Sequence, residues 1–364
     1  MARHSRSPPD LRKRELPGSG RNSICEHMIP DRRSLLLAAP LLLAAPAVLR
    51  AQESPEHSPL SPLKAVAVAR GSETLAVTGY GGFDPSRPSN IKSASKSVIC
   101  ALAGAAVMRG HLDGPDQPVA PILRDALPAD PDPRLEELTL GHLMSMRAGL
   151  ERTSGANYGA WVSSRDWLRD ALRRPFVDEP GGRMLYSTGT THILGAVIAR
   201  AAGDDLLSLA RDWLGPVEGF RITWWEQDPQ GRYLAGNQMS MSVQSLLAFG
   251  EMARRGGMAA DGTRVLPEGW MEASWEPRTR SRWTGAGYGW GWFLGRVGPH
   301  PVRYGWGYGG QMIYVVPTLE MSVAMLSDET RPSARTGYRS VLHGELARMV
   351  READGGGAPT LPAV

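Results

Sequence analysis

Hydrophobic positions in this chain alternate with a period of two near both ends and recur with a helical period in between. Residues 63–79 alternate on either side of a Gly71-Ser72 turn, which predicts a β-hairpin. The alternation returns late in the chain, where the predicted strands span residues 288–296, 302–305, 311–316 and 321–327. Because each half-buried strand needs neighbours that cover its apolar face, we expect the two ends of the chain to pair in one antiparallel sheet.

Helical spacing fills the middle of the chain and returns at its end. The pattern over residues 157–174 predicts an amphipathic helix, and residues 339–352 predict a C-terminal helix. Further predicted helices span residues 93–110, 142–146, 191–202, 205–213 and 242–255. The pattern therefore predicts an α/β (α+β) fold, in which helices flank the sheet and a helical insertion subdomain occupies about residues 115–255.

The first 51 residues have the pattern of an export signal, and we do not expect them to belong to the folded domain. Arg32-Arg33 precedes a short run of Leu, Ala and Pro, which is the arrangement of a twin-arginine signal. Pro40, Pro46 and the short length of the run argue against a membrane-spanning segment in the mature protein, and an uncleaved membrane anchor is the alternative. We expect an exported, periplasmic protein with a flexible lead-in at 52–62, one domain at 63–350 and a disordered tail at 351–364.

Charge is unevenly distributed along the chain. The formal net charge is +4, but the first 51 residues carry nine Lys or Arg and four Asp or Glu. The rest of the chain has 32 basic and 33 acidic residues and is therefore close to neutral. The composition of the folded part gives no electrostatic reason to expect a nucleic-acid partner.

Cysteine and histidine are too few and too scattered to indicate a metal or disulfide framework. Cys25 lies in the leader, so Cys100 is left without a partner and is expected to be a buried residue of an apolar helix. His142 and His192 show no metal-binding spacing and are expected to pack between helices. No Gly-x-Ser-x-Gly motif occurs, which argues against an α/β-hydrolase triad. We expect neither a metal nor another cofactor.

Ser93 and Lys96 are the strongest candidates for chemistry. Their spacing places both side chains on one face of a helix, and an apolar run from Val98 to Val107 follows them. A serine hydroxyl needs a nearby base to become a nucleophile, and a buried lysine can be that base. Only four lysines occur among 41 basic residues, and arginine cannot give up its proton. Retention of lysine beside this serine therefore favours a catalytic pair.

A second Ser-x-x-Lys frame precedes the first one. Ser89 and Lys92 have the same spacing, but Pro88 comes before them and no apolar run follows Lys92 directly. The Ser93 frame opens a clean helical pattern, and we prefer it for that reason. The N–H group of Ser93, at the start of that helix, is a candidate for half of an oxyanion hole.

Three separated segments together resemble a known family. These are Ser93-x-x-Lys96, Tyr186-Ser187-Thr188 and the glycine-rich segment 306–310 before a predicted strand. In their order and spacing they resemble the serine β-lactamase and penicillin-binding family, in particular the class C-like branch with its esterases and 6-aminohexanoate-dimer hydrolases. The resemblance covers about residues 63–350 and implies a β-lactamase/transpeptidase-like fold. Segments 138–150 and 288–292 add flanking matches.

The resemblance implies a role for each matching residue. Ser93 would be the nucleophile, Lys96 its base, and Tyr186 a relay that returns the proton to the leaving group. The backbone N–H groups of Ser93 and Gly309 would form the oxyanion hole. The positions implied to bind substrate are Thr188, Trp306, Gly307 and Tyr308.

Two positions depart from the family pattern. Thr188 stands where the family usually has asparagine, and Trp306 stands where penicillin-recognising members have lysine or histidine. The cation that binds a substrate carboxylate is therefore missing. Arg303 could replace it, but we expect Arg303 to be a surface charge. Trp306 could instead contribute to an apolar pocket for the acyl group. Trp161, Trp290 and Trp292 could contribute too, but most tryptophans are core residues, and we favour Trp306 alone.

These departures favour one function over two alternatives. We expect an exported serine hydrolase that acts through a Ser93 acyl-enzyme on a small-molecule ester or linear amide. The first alternative is a β-lactamase or D-alanyl-D-alanine carboxypeptidase of the same fold. The second is a catalytically inactive module that binds a ligand.

Overall fold

The computed structural model describes residues 58–364. The predicted leader and twin-arginine signal lie outside the described residues. Strands within residues 58–364 are β1 (Leu63–Arg70), β2 (Glu73–Gly79), β3 (Ser89–Asn90), β4 (Trp224–Trp225), β5 (Met239–Met241), β6 (Thr279–Arg280), β7 (Gly287–Tyr288), β8 (Phe293–Val297), β9 (His300–Gly307), β10 (Gln311–Val316) and β11 (Met321–Ser327). Helices in the same range are α1 (Ser95–Met108), α2 (Leu140–Met144), α3 (Tyr158–Val162), α4 (Trp167–Leu172), α5 (Thr188–Ala202), α6 (Leu206–Trp213), α7 (Val243–Arg254), α8 (Trp270–Ser274) and α9 (Tyr338–Asp354).

Eight strands form one antiparallel sheet in the order β2-β1-β11-β10-β9-β8-β7-β6. The N-terminal hairpin lies beside the last strand, and in the β1–β11 register Ala67 is paired with Ala324. Two predicted strands, at 311–316 and 321–327, coincide with β10 and β11. The structure therefore confirms an antiparallel sheet that is built from both ends of the chain.

The sheet is covered on both faces, and successive residues of β1 point into different cores. Ala65 and Ala67 pack in a core that includes α1 and α7, whereas Val66 and Val68 pack in a core that includes α9. This alternation follows from the period of two in strand geometry. Helix α7 packs on β1, β10 and β11 and so belongs to the sheet layer, although the sequence suggests an insertion that extends to residue 255.

Helix α1 lies at the centre of the molecule. All of its residues from Ser95 to Ala106 are buried, because α1 packs against the sheet on one side and against α5 and α6 on the other. A helix that is apolar on every side is expected in such a position. Its N-terminus is therefore held rigidly by the surrounding structure.

A small three-stranded sheet, in the order β3-β5-β4, is absent from the sequence prediction. Asn90 of β3 is paired with Ser240 of β5, and Ser240 is paired with Trp224 of β4. These strands have two or three residues each, too few to show a period. The sheet joins the segment before Ser93 to the segment around residue 239.

The predicted helix over residues 157–174 is wrong in one respect, because the structure contains two short helices there. The first helix ends at Val162, and Asp166 caps the second, α4, by accepting a hydrogen bond from the N–H of Arg169 at 3.1 Å. Across the break, Trp161 Nε1 donates to the carbonyl of Trp167 at 2.9 Å. The Asp166 cap and the hydrogen bond from the Trp161 indole stabilise a turn between the two helices. The spacing of apolar residues does not predict this turn.

The C-terminal residues 351–364, expected as a disordered tail, are ordered against the rest of the protein. Helix α9 continues to Asp354. Beyond it, the carbonyl of Pro362 accepts a hydrogen bond from the Tyr80 hydroxyl at 2.9 Å, and Leu361 packs on the sheet core. Leu60, within the expected lead-in, is also buried in that core. None of the helices formed by residues 58–364 has the length and hydrophobicity to cross a membrane.

Candidate active site

Ser93 lies in a single 3₁₀ turn, Lys92–Ala94, that leads directly into α1. The α-helix begins two residues later than the sequence suggests. Ser95 Oγ donates to the Lys92 carbonyl at 2.7 Å, and Ser97 Oγ donates to the Gly291 carbonyl at 2.7 Å. These bonds fix the turn against the buried helix, and Ser93 itself is only partly buried.

Lys96 is buried directly behind Ser93, with 1% of its surface exposed. Its Nζ lies 3.0 Å from Ser93 Oγ, 2.7 Å from the Gly236 carbonyl oxygen and 3.4 Å from Thr188 Oγ1. No ion pair within residues 58–364 includes Lys96. Burial therefore lowers the pKa of Lys96 to about 7, and only the Cys100 thiol opposes that change. At neutral pH a large fraction of the amine is uncharged and can accept a proton.

Tyr186 approaches the same pair from the segment before α5. The Lys96 Nζ lies 5.0 Å from the centroid of its ring, and the ring also packs against Phe293 at 6.0 Å between centroids. Burial raises the pKa of Tyr186, and an interaction with the Ser93 hydroxyl offsets part of this rise. The phenol is therefore protonated at neutral pH and can donate a proton.

Thr188, which replaces the usual asparagine, joins the site through its hydroxyl group. Thr188 Oγ1 lies 3.1 Å from Ser154 Oγ, and the Thr188 N–H donates to that same oxygen at 2.9 Å. Ser154 is a neighbour of Thr188 that the sequence does not predict, because no local pattern marks it. The site therefore holds two hydroxyl groups where the family pattern has one amide.

Gly236 supplies the carbonyl oxygen that is nearest to Lys96 Nζ. Its φ of +81° lies in the left-handed region, and a Cβ there would lie 2.7 Å from Thr191 Cβ and 3.0 Å from Lys96 Cγ. Only glycine fits both the backbone and the space. Gly236 is not among the residues predicted for the site, although the Gly-Asn pair at 236–237 is a recognised turn signal.

The end of β9 lies beside the Ser93 turn. A Cβ on Gly307 would overlap the carbonyl oxygen of Ile91, two residues before Ser93. Strand β8 pairs with β9 only as far as Tyr304, so the last three residues of β9 present a free edge on that side. Such an edge allows the backbone of a substrate to approach closely.

Gly309 lies in the turn after β9 and faces a different part of the structure. Its φ is +86°, and a Cβ there would lie 2.5 Å from the Asp328 carbonyl oxygen and 2.8 Å from Glu329 Cα. On the side where a Cβ would point, Gly309 therefore packs against residues that follow β11. Tyr308, which is 51% exposed, lies between Gly309 and Gly307. Gly307 is the glycine that adjoins Ile91.

Trp306 is half-buried next to the core beneath α9. Its Nε1 donates to Ser333 Oγ at 3.3 Å, and the guanidinium carbon of Arg339 lies 4.7 Å from its ring. Arg303, the substitute suggested by the sequence, lies near Arg296, and its pKa is lowered by burial and by that neighbouring charge. Arg339 is thus the cation beside Trp306.

The other candidate tryptophans are core residues. Trp161, Trp290 and Trp292 expose 0%, 4% and 1% of their surface, so they do not line a substrate pocket. His192 packs against Trp161, and its Nε2 lies 3.2 Å from Asp228 Oδ2. His142 takes part in a capping box with Thr139 at the start of α2. Residues 58–364 contain no group of three or more His, Cys, Asp or Glu that could hold a metal ion.

The Beta-lactamase family model matches residues 63–347, which is most of the chain. This chain belongs to the β-lactamase family. The membership places it among serine hydrolases with the β-lactamase/transpeptidase-like fold, as the resemblance implies. The described turn, buried lysine and glycine-rich strand end occupy the order expected of a β-lactamase-family protein.

Known proteins similar to this β-lactamase-family chain include hydrolases of several kinds. The 6-aminohexanoate-dimer hydrolase of Paenarthrobacter ureafaciens is 25% identical over 233 residues, which are 61% of this chain and 59% of that protein. The chain thus spans about three fifths of that relative's length.

Solved structures with a similar fold include the hydrolase EstCE1, which is described as having promiscuous acyltransferase activity. Its TM-score is 0.63 at 18% identity, and the match covers 78% of this chain and 94% of EstCE1. The octameric penicillin-binding protein homologue from Pyrococcus abyssi has a TM-score of 0.62 at 18% identity, with 83% and 76% covered. At these identities the two structures show a shared fold.

Proposed function

We propose that this protein hydrolyses an ester or a linear amide through an acyl-enzyme formed on Ser93. The observation that carries the proposal is the Lys96 Nζ, which lies 3.0 Å from Ser93 Oγ and has a pKa of about 7 because it is buried. A neutral amine at hydrogen-bond distance from a hydroxyl is the arrangement that general-base activation requires.

In the first step, Ser93 Oγ forms a bond to the substrate carbonyl carbon while its proton moves to the Lys96 amine. The tetrahedral intermediate then expels an alcohol or an amine, which takes a proton from the Tyr186 phenol. The Lys96 ammonium returns its proton to Tyr186, so the site is again neutral. Water cleaves the acyl-enzyme by the same path in reverse and releases the acid.

The oxyanion is stabilised by backbone N–H groups. Ser93 contributes one from the turn that precedes α1. The second comes from the segment that follows Gly307, where the N–H groups of Tyr308 and Gly309 are the candidates, because Gly307 adjoins Ile91. Removal of one such donor typically costs about 10²–10³ in kcat.

The chemistry around Trp306 supports an ester or linear amide substrate. An indole replaces the lysine or histidine of penicillin-recognising members, and two hydroxyl groups replace the amide near Lys96. The similarity to a protein named for an aminohexanoate dimer agrees with a linear amide.

One observation favours the β-lactamase or carboxypeptidase alternative. The Arg339 guanidinium lies on the Trp306 ring and has no carboxylate partner among residues 58–364. A substrate carboxylate that reached Trp306 would meet a cation there, and charge-assisted contacts of this kind are strong. Loss of cephalosporin turnover in Arg339→Gln, with ester turnover retained, would favour this alternative.

The test of the proposal compares the mature wild-type protein with Ser93→Ala, using a short-chain aryl ester, a linear amide and a cephalosporin. We expect ester or amide turnover in the wild type and its loss in Ser93→Ala. Turnover that survives in Ser93→Ala would refute the Ser93 mechanism. A protein that binds these compounds without turnover or a Ser93 adduct would be the ligand-binding module instead.

We further propose that the protein is exported to the periplasm by the twin-arginine route. The support is the Arg32-Arg33 pair before a short apolar run. Replacing both arginines with lysine is expected to leave the precursor in the cytoplasm, as measured by cell fractionation. Export of that variant at the wild-type rate would contradict the proposal.

A further inference from the structure

One side-chain oxygen connects the segment before Ser93 to the segment that carries Gly236. Gln238 Oε1 accepts a hydrogen bond from Asn90 Nδ2 at 2.7 Å and another from Lys92 Nζ at 2.8 Å. We call these three residues the Gln238 clasp. Lys92 immediately precedes Ser93, and Gln238 lies two residues after Gly236, the carbonyl acceptor of Lys96.

Both ends of the clasp have a strained backbone. Lys92 has a φ of +50° and Gln238 has a φ of +53°, and only two other non-glycine residues in the described part of the chain have a positive φ. A left-handed conformation is unfavourable for any residue that carries a side chain. Such strain persists only where the surroundings impose it, and it is concentrated at functional sites.

The rest of the local hydrogen bonding belongs to the same arrangement. The Lys92 N–H donates to Asn90 Oδ1 at 2.9 Å, and the Ile91 N–H donates to the Met239 carbonyl at 2.8 Å. The clasp therefore holds two short segments in a fixed relation, one with the Ser93 hydroxyl and one with the Gly236 carbonyl. Lys96 Nζ must reach both oxygens, at 3.0 Å and 2.7 Å.

We propose that Gln238 is a positioning residue of the active site, which through Asn90 and Lys92 keeps Ser93 Oγ and the Gly236 carbonyl within reach of Lys96 Nζ. This inference rests on the proposed function of Ser93 and Lys96, and it adds residues that lie outside the family motif. The side chain of Gln238 bonds to Asn90 and Lys92 and to neither Ser93 nor Lys96, so we expect its effect on the rate of acylation and not on substrate binding. A displacement of about 1 Å in such a site can cost on the order of 10² in rate.

Three substitutions of Gln238 separate positioning from a general effect on folding. Gln238→Leu removes the acceptor and is expected to lower kcat about 10- to 100-fold, with KM changed less than about threefold. Gln238→Glu keeps an oxygen that accepts from both donors and is expected to retain kcat within about threefold. Gln238→Gly removes the acceptor and the strain together, so its Tm should equal or exceed that of the wild type while kcat falls as in Gln238→Leu.

Gln227→Leu is the matched control, because Gln227 is exposed on the same segment and its replacement should leave kcat unchanged. Lys92→Met removes one donor, and the double variant with Gln238→Leu should lose no more activity than the worse single variant, since both break one interaction. Wild-type kcat in Gln238→Leu or Gln238→Gly would overturn the proposal, as would a loss in Gln238→Glu equal to that in Gln238→Leu.

Ser93→Ala, measured beside these variants, keeps the two proposals distinct. Loss of turnover in Ser93→Ala together with wild-type kcat in Gln238→Leu would refute the clasp alone. Turnover retained in Ser93→Ala would refute the proposed function, and the clasp with it.

Discussion

Lys96 shows how burial produces a base from a residue that is normally charged. Its ammonium would have no carboxylate partner within residues 58–364, so removal from water favours the neutral amine. The unfolded chain holds the same proton up to about pH 10.4. The free-energy cost of burying Lys96 is therefore largest below pH 7 and declines as the pH rises towards 10.

The pH dependence of catalysis follows from that shift. Because the neutral amine is the active form, kcat/KM for an aryl ester should rise about tenfold per pH unit below 7 and then level off. The measurement is a pH–rate profile from pH 5 to 9. A profile that stays flat between pH 5.5 and 7.5 would show that Lys96 is not the base. Lys96→Arg, which cannot lose its proton, should lack acylation throughout this range.

The active-site residues that could be predicted from the sequence are those marked by a short motif or by the order of motifs. Ser93 and Lys96 are three positions apart, and Tyr186 follows from its place in the order of motifs. Gly236 acts through a backbone carbonyl, which every residue has, so its type carries little information about that contact. Gly309 is implied by the family pattern, but the placement of an N–H at a strand end depends on turn geometry that sequence does not specify.

At the scale of elements, the loop from Asp228 to Gln238 is as important to the site as α1. It carries the Gly236 carbonyl and connects to the small sheet that holds Asn90. Strands β10 and β11 could be predicted because their apolar residues extend over six or seven positions. The small sheet could not, because its stability comes from tertiary pairing between segments of two or three residues.

Two glycines on that loop allow a matched test. Gly236 and Gly231 have φ values of +81° and +79°, but only a Cβ at Gly236 would meet Thr191 and Lys96, whereas Gly231 has open space. Gly231→Ala should cost about 1–2 kcal/mol of unfolding free energy from strain alone. Gly236→Ala should cost about 1–3 kcal/mol more from overpacking and should also lower kcat.

The measurements for this pair are denaturant unfolding and ester turnover. Because both variants carry the same backbone strain, a difference between them reports the contacts of Gly236 with Thr191 and Lys96. Equal kcat values in Gly231→Ala and Gly236→Ala would contradict the role given to the Gly236 segment.

For the whole molecule, the C-terminal residues extend the fold beyond the last helix. The Arg70 guanidinium donates to the carbonyls of Ala353 and Gly357 at 3.1 and 3.2 Å, and Tyr80 donates to Pro362. These contacts lie on β1 and just after β2, the strands farthest along the sheet from β7 and β6. The predicted disorder of this tail is wrong, because these tertiary contacts hold it against the sheet.

Removal of residues 356–364 should therefore affect stability and not catalysis. Each lost hydrogen bond contributes about 0.5–1.5 kcal/mol, so the truncated protein should unfold about 1–3 kcal/mol more easily while kcat and KM stay unchanged. Denaturant unfolding and ester kinetics on the same preparation measure both. Tyr80→Phe, which removes one of these bonds, should show a smaller loss, and an unchanged midpoint after truncation would contradict the packing of the tail.

The pairing of β1 with β11 has a consequence for synthesis on the ribosome. Ala67 is paired with Ala324, and Ile91 lies against Gly307. Neither the sheet nor the active site can therefore form until most of the chain has been synthesised. At about 5–20 residues per second, the N-terminal hairpin spends on the order of 10–50 s with an unpaired edge. Long-range pairing of this kind slows folding and exposes strand edges to other chains. The nascent protein therefore has a long interval in which a chaperone that shields β1 would improve its yield.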